Sequence, residues 1–222
     1  MEQEGWDYSH ARKEGRNVFV FRDTSHVSAK IHENLYSAIY SQISRGIFST
    51  LFIEGGEGPI SPIRVPEEVL RVNVFQKAKR CIHASELLSC RHHSEIYSGK
   101  FKIYGAEGMD ILNKQREAVR ASVEFGAKVF SGHVPSFLEE QQFDFLEKRV
   151  VVIARRRSFL AAERVIRQME VYGENNVGML FGDGHYTEII QQLKRREAGY
   201  VTFSPSWDEK NFGAALEYLQ TL

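Results

Sequence analysis

The feature that most constrains the fold of this chain is a regular alternation of strand-length apolar runs with helical patterns. The runs are rich in β-branched and aromatic residues, which favours strands. An alternating order of strands and helices is typical of a parallel sheet covered by helices on both faces. We therefore predict an α/β fold with a mostly parallel central sheet of about five strands and helices on both faces. The predicted strands are Asn17–Arg22, Thr50–Glu54, Phe101–Gly105, Val177–Phe181 and Tyr200–Ser204.

Helical periodicity fills the intervals between these strands. The chain of 222 residues is long enough for one large domain, and its apolar segments are evenly spread, so we expect a single α/β domain over 1–222. The segment at about 108–156 contains helical patterns and no strand, which predicts a cap-like helical insertion before the fourth strand. Helices are predicted over Ser28–Arg45, Pro66–Ser89, Asp110–Phe130, Pro135–Arg149, Ser158–Tyr172, Thr187–Arg196 and Asp208–Leu219.

The charge balance restricts the partners that we expect. Lysine and arginine together number 29, as do aspartate and glutamate, so no net field would attract nucleic acid or an anionic membrane surface. No apolar run approaches the roughly 20 residues that span a bilayer, and the N-terminus lacks the pattern of a secretory signal. We expect a cytoplasmic protein that acts on a small molecule or peptide. The oligomeric state is left open.

Polar side chains follow all five predicted strands, at the point where each strand ends. Because the carboxyl ends of parallel strands meet at one edge of the sheet, these side chains should lie close together, where open α/β folds bind ligands. Several ionisable groups placed together favour a functional site over chance. In chain order they are Asp23 and His26, Glu54, Glu107, Asp183 and His185, and Ser204 and Trp207.

The stretch from Gly182 to His185 comes directly after a strand and before a helical pattern. Two glycines in this position fit a sharp corner, either with a positive φ or with the backbone close to a ligand. The same corner would bring backbone N–H groups and a helix start to the site. Taken alone, the histidine could equally be a helix cap or a hydrogen-bonded residue at the sheet edge.

The order of these residues resembles a known superfamily. Asp23-x-x-His26, Glu54, Arg157 at the predicted start of a helix, and Gly182-x-x-His185 resemble the pattern of erythromycin esterases, ChaN haem-binding proteins and TraB/PrgY/TIKI proteins. The TraB and TIKI proteins carry two Gly-x-x-His motifs, whereas Asp23 replaces the first glycine here, which makes the pattern more similar to that of the esterases. The resemblance implies an α/β domain with one polar cleft, used for ester hydrolysis, metal-dependent peptide hydrolysis or haem binding.

The residues themselves are compatible with activation of a water molecule. His26, oriented by Asp23 or Glu54, could act as a general base. His185 with Glu107 could orient the water or bind a metal, and Arg157 could stabilise an oxyanion.

A set of two histidines and two carboxylates suits a divalent metal such as Zn²⁺, Mn²⁺ or Co²⁺, and it does not distinguish a metal centre from a metal-free base. The predicted metal ligands are His26, Glu54, Glu107 and His185.

The sequence thus predicts a hydrolase of a small ester, amide or peptide bond. The catalytic residues would be His26, Glu54, Arg157 and His185. The alternative is a non-catalytic protein of the same superfamily that binds haem, a metal or a metabolite, and haem stays open because tyrosine, histidine and methionine ligands are all present. Substrate-binding residues are predicted at Asp23, Glu107, Asp183, Gly184 and Trp207.

Overall fold

The sheet has five parallel strands at its centre, and these are the five that the sequence predicts. The computed structural model describes residues 5–12, 15–24, 29–60 and 84–205. Over this part of the chain the strand order is β1-β7-β2-β6-β3-β5-β4, and every pairing from β7 to β5 is parallel. The strands are β1 Trp6–Asp7, β2 Asn17–Asp23, β3 Thr50–Ile53, β4 Glu57–Pro59, β5 Lys102–Ala106, β6 Asn176–Gly182 and β7 Gly199–Phe203.

The two edge strands are antiparallel and were not predicted, so the sheet is mixed and has seven strands rather than five. Each edge strand is only two or three residues long, which is too short to produce a periodic pattern in the sequence. The chain reverses between β3 and β4 at Gly55, whose φ of 91° favours glycine. A side chain at Gly105 of β5 would collide with the backbone of Gly56, so this close approach also requires glycine.

Where the predicted helices fall on described residues they agree with the structure except at one break, and the structure adds the short helix His93–Tyr97, which was not predicted. The predicted helix Asp208–Leu219 and residues 66–83 of the predicted helix Pro66–Ser89 lie outside the described residues. The predicted break between Arg149 and Ser158 is wrong, because a single helix of 37 residues runs through it and ends at Gly173, which has a φ of 68°. No glycine or proline interrupts this stretch, and Ala154 and the arginines that follow it favour helix. The helices are α1 Ala29–Ser44, α2 Ala84–Arg91, α3 His93–Tyr97, α4 Met109–Phe130, α5 Ser136–Tyr172 and α6 Tyr186–Arg195.

Alternate residues of the strands supply a separate apolar core on each face of the sheet. On one face Val20 and Met179 pack with residues of α5 and α6, such as Val165. On the other face Phe21 packs with residues of α1 and α2, such as Leu35. The sheet is therefore covered on both faces, as predicted from the order of elements.

The strand order determines where the candidate site forms. β6 lies between β2 and β3, with Asp23 level with Gly182 and Ile53 level with Leu180. The carboxyl ends of three neighbouring strands thus carry Asp23, Gly182 and Glu54 to one edge. Of the helices that the structure describes, none combines the length and apolar character needed to cross a membrane.

Candidate functional site

Glu54 lies at the centre of the site, one residue beyond the end of β3. Its Oε1 is 3.3 Å from Nε2 of His185 and 3.2 Å from Nη2 of Arg157. Its Oε2 accepts the backbone N–H of Gly182 at 3.0 Å. Two donors, from β6 and α5, and the imidazole that follows β6 therefore converge on one carboxylate.

These donors keep Glu54 ionised. Burial by itself raises the pKa of this carboxyl, but the hydrogen bond and charge of the protonated form of His185, the Gly182 N–H and the Arg157 charge outweigh burial and lower the pKa to about 2. The side chain is still 29% exposed. Glu54 is thus a fixed negative charge that solvent can reach.

His185 is oriented through both ring nitrogens. Its Nδ1 is 2.7 Å from Oγ of Ser158, and this hydroxyl also lies 3.0 Å from the carbonyl oxygen of Ala154. A hydroxyl has one proton, so both contacts are hydrogen bonds only when Ser158 donates to Ala154 and accepts from Nδ1–H. Nε2, which faces Glu54, is then the nitrogen that can take up a proton. The side chain of His185 makes no capping bond to α6, which argues against a role as a helix cap.

Arg157 joins Glu54 to a second, fully buried carboxylate. Its Nε and Nη2 each donate to Glu107 at 2.7 Å, in a bidentate pair. Glu107 also accepts the backbone N–H of Gly55 at 2.7 Å, and Nη1 of Arg157 donates to Gln115. A buried carboxylate needs such compensation, so this pair is a structural support for the residues around Glu54.

The contacts of Arg157 affect two of the predictions, its own role at an oxyanion and the metal site at Glu54 and Glu107. Its donors already contact three side chains, and it is almost fully buried, so the geometry favours a role in positioning Glu54 over a role at an oxyanion. It also lies where a cation bound between Glu54 and Glu107 would sit. Among the described residues, no three histidine, cysteine, aspartate or glutamate side chains form a group that could hold a metal ion. The predicted metal set includes His26, which lies outside the described residues, and stays a prediction.

A cleft of about 290 Å³ opens beside Glu54 at the carboxyl ends of β2, β3 and β6. Its wall on the other side is the start of α2. Apolar residues and backbone form most of the lining, and the charged side chains that the structure describes there are Asp23, Glu54 and Glu86. The cleft therefore presents carboxylates and favours a neutral or cationic ligand.

Three of the predicted substrate-binding residues do not line this cleft: Glu107, which is fully buried, Asp183 and Gly184. Asp183 accepts hydrogen bonds from Arg22, whose Nε lies at 2.7 Å, and Arg22 also contacts Ser204 and lies over the ring of Tyr186. Gly184 is exposed and has open space around it, and neither Gly184 nor Gly182 has a positive φ. The positive φ considered for this corner is therefore absent at both glycines, and the alternative of a backbone close to a ligand stays a prediction.

The remaining predicted residues divide into three groups. Glu54, Glu107, Arg157 and His185 form one connected network. Asp23 is buried at the edge of the cleft, with Oδ2 3.9 Å from Nδ1 of His32. His26 and Trp207 lie outside the described residues.

The structure adds three residues that the sequence did not indicate. Ser158 orients His185, Gln115 contacts Arg157, and Glu86 lines the cleft. Ser158 could have been suspected because it follows Arg157 directly on the same helix. Nothing local distinguishes Gln115 or Glu86 from ordinary polar residues of a helix surface.

Comparison of the chain with models of protein families, with curated proteins and with solved structures finds no match. The resemblance to the superfamily of erythromycin esterases, ChaN and TraB/PrgY/TIKI proteins therefore stays a prediction.

Proposed function

We propose that the protein is a hydrolase of a small ester, amide or peptide bond, with His185 and Glu54 activating a water molecule in the cleft. The observation that carries the proposal is that the ionised carboxylate of Glu54 contacts Nε2 of His185 and also lines the cleft. His185 does not itself line the cleft, so the proposal requires that a water bound to Glu54 there reaches Nε2 of His185, the atom that contacts this carboxylate.

The roles follow from the contacts of each side chain. Ser158 holds the imidazole with Nε2 toward Glu54. His185 takes the proton of the water as the oxygen attacks the carbonyl carbon, and afterwards returns it to the leaving group. Glu54, whose pKa of about 2 keeps it ionised, orients the water and stabilises the imidazolium. Arg157 holds Glu54 in place.

A serine nucleophile is disfavoured by the position of Ser158. The residue is only 1% exposed, within a helix, and its hydroxyl lies within hydrogen-bond distance of the Ala154 carbonyl oxygen. A substrate carbonyl has no access to this oxygen. Water is therefore the better candidate for the nucleophile.

The test is an assay of the purified protein against a panel of chromogenic esters, amides and short peptides. We expect His185→Ala and Glu54→Gln to lower kcat/KM by about 100-fold or more, the usual contribution of a positioned acid or base. His133→Ala is the matched control, since this histidine is exposed and its imidazole contacts the hydroxyl of the exposed Ser131, away from Glu54. Activity that survives in His185→Ala would overturn the proposal.

A second candidate function is the binding of a cationic ligand without catalysis. It is favoured by the lining of the cleft, in which all the described charged side chains are carboxylates. Titration with Zn²⁺, Mn²⁺, Co²⁺, haem and simple alkylamines, followed by calorimetry and by the absorption spectrum of haem, separates these ligands. Binding that is weakened by Asp23→Asn, in a protein that turns over no substrate in the panel, would replace the hydrolase proposal.

A further inference from the structure

Arg22, the last residue but one of β2, reaches the short turn that carries His185. Val20 faces α5 and α6, and Arg22, two residues further along the strand, points to the same face of the sheet. Its Nε and Nη2 lie 2.7 Å and 2.6 Å from Oδ1 of Asp183, the first residue of the 3₁₀ turn Asp183–His185. A side chain of β2 is therefore joined directly to the connection between β6 and α6.

Arg22 contacts the chain on both sides of His185. Asp183 lies two residues before the histidine, and Cζ of Arg22 lies 4.0 Å from the ring centre of Tyr186, the residue directly after it. Nη1 of Arg22 also donates to Oγ of Ser204, just beyond the end of β7, at 3.2 Å. The planar guanidinium is thus held from three directions, which fixes the turn relative to β2 and to the end of β7.

The imidazole of His185 needs a turn that is fixed in this way. The turn has three residues and, within the described part of the chain, no side chain caps it by a hydrogen bond. The imidazole makes two short contacts, 2.7 Å from Nδ1 to Oγ of Ser158 and 3.3 Å from Nε2 to Oε1 of Glu54. A shift of the turn by about 1 Å would take either contact beyond hydrogen-bond distance.

The exposure of the ion pair indicates that it restricts geometry more than it stabilises the fold. The side chains of Arg22 and Asp183 are 29% and 45% exposed, and ion pairs that solvent reaches contribute little to the free energy of unfolding. Two nitrogens of one planar group nevertheless meet the same oxygen, while the ring of Tyr186 covers the face of that group. Removal of the pair should therefore disturb His185 more than the rest of the fold.

We propose that Arg22 is a positioning residue for His185, which holds the turn so that Nδ1 meets Ser158 and Nε2 meets Glu54. The effect on catalysis rests on the hydrolase proposed above, whereas the orientation of the imidazole does not. Arg22 is not among the residues that line the cleft, so its loss should lower kcat and leave KM nearly unchanged.

The first experiment reads the tautomer of His185 by NMR of protein labelled with ¹⁵N at the histidine rings, at about pH 8.5, where a free imidazole is neutral. The signal of His185 is the one lost in His185→Ala. We expect the proton on Nδ1 in the unmodified protein and a mixture of both tautomers in Arg22→Gln, because the ring no longer meets Ser158. Arg16→Gln is the matched control: Arg16 precedes β2 at the opposite end of the strand, pairs with Glu170 at the surface, and should leave the tautomer unchanged.

A second variant, Asp183→Ala, breaks the same link from the other side and decides the question if Arg22→Gln does not fold. It should give the same mixture of tautomers, and the double variant should show no larger change than either single one, because the two residues act as one unit. With a substrate from the panel, each variant should lower kcat by about 10- to 100-fold and change KM by less than about twofold. Circular dichroism verifies that the helices are retained.

The tautomer decides the proposal. A fixed Nδ1–H form of His185 that persists in folded Arg22→Gln or Asp183→Ala overturns it, and so does an equal change in Arg16→Gln. A protein that turns over no substrate overturns the hydrolase alone, since the NMR comparison does not depend on activity.

Discussion

The two halves of α5 belong to one continuous helix and have opposite surroundings. From Leu138 to Arg156 the only buried residue is Leu146, whereas seven of the following thirteen residues are buried. The second half carries Arg157 and Ser158 into the site and packs Met169 and its neighbours against the sheet.

The two halves of α5 therefore pack against different parts of the protein, the C-terminal half against the sheet and the N-terminal half against α4. Where the sheet lies behind it, small residues such as Ala161 and Ala162 permit close approach, and a charged residue is buried only with a full set of partners. Where only α4 lies behind it, apolar side chains stay exposed. The same helix therefore supports the candidate site at one end and carries exposed apolar side chains at the other.

The largest expected effect on the free energy of unfolding comes from a substitution at the boundary between the two halves of α5. Arg157→Met leaves the fully buried carboxylate of Glu107 without its bidentate partner and should lower the free energy of unfolding by about 3–5 kcal/mol. Arg156→Met, one residue earlier and exposed, should change it by no more than about 0.5 kcal/mol. Urea denaturation of both variants measures the contrast. Similar values for the two would mean that Arg157 is not engaged as described.

A second pair of variants compares the apolar residues of the two halves. Met169→Ala removes a fully buried side chain and should cost about 2–5 kcal/mol, from lost burial and the cavity left behind. Val152→Ala should cost less than about 0.5 kcal/mol at dilute protein concentration, because this side chain is 63% exposed. A large cost at Val152 under these conditions would show that its face is covered within the monomer.

The smallest effect concerns Glu54, which the C-terminal half of α5 holds through Arg157. Its pKa is about 2 in the folded protein and 4.5 as a free side chain, so its contribution to stability is complete above about pH 4.5 and is lost as the pH falls toward 2. The shift corresponds to about 3 kcal/mol, reduced by partial exposure to about 2 kcal/mol.

The measurement is urea denaturation of the unmodified protein and of Glu54→Gln across this acidic range. The difference in free energy of unfolding between them should shrink as the pH falls. Glu140→Gln, at an exposed carboxylate of the N-terminal half, is the control. A difference that stays constant with pH would contradict the ionised state of Glu54.

The local sequence pattern was sufficient for the parallel part of the fold. The five parallel strands were predicted because each is an apolar run of four to seven residues bounded by turn or helix signals. Strands β1 and β4 were not predicted, because a strand of two or three residues is too short to show an alternating pattern of apolar and polar residues. The break predicted before Ser158 was wrong because the apolar periodicity fades where α5 leaves the sheet, while the helix itself continues.

The candidate site was predictable only as a set of residues at strand ends. The rule that parallel strands end at one edge placed Glu54 and His185 together, and the structure puts them 3.3 Å apart. The same rule grouped Asp183 with them, yet Asp183 is bound by Arg22, because the side chain that it meets depends on which face of the sheet each residue points to.

The sequence by itself determined the order of strands and helices and the polar residues that end each central strand, because these depend only on local periodicity and composition. The tertiary structure decided which of those residues meet. β6 had to lie between β2 and β3 before Gly182 and His185 could contact Glu54, and α5 had to cross the sheet before Arg157 could reach Glu107. Contacts of this kind join residues 50 to more than 120 positions apart, and no local pattern in the chain encodes them.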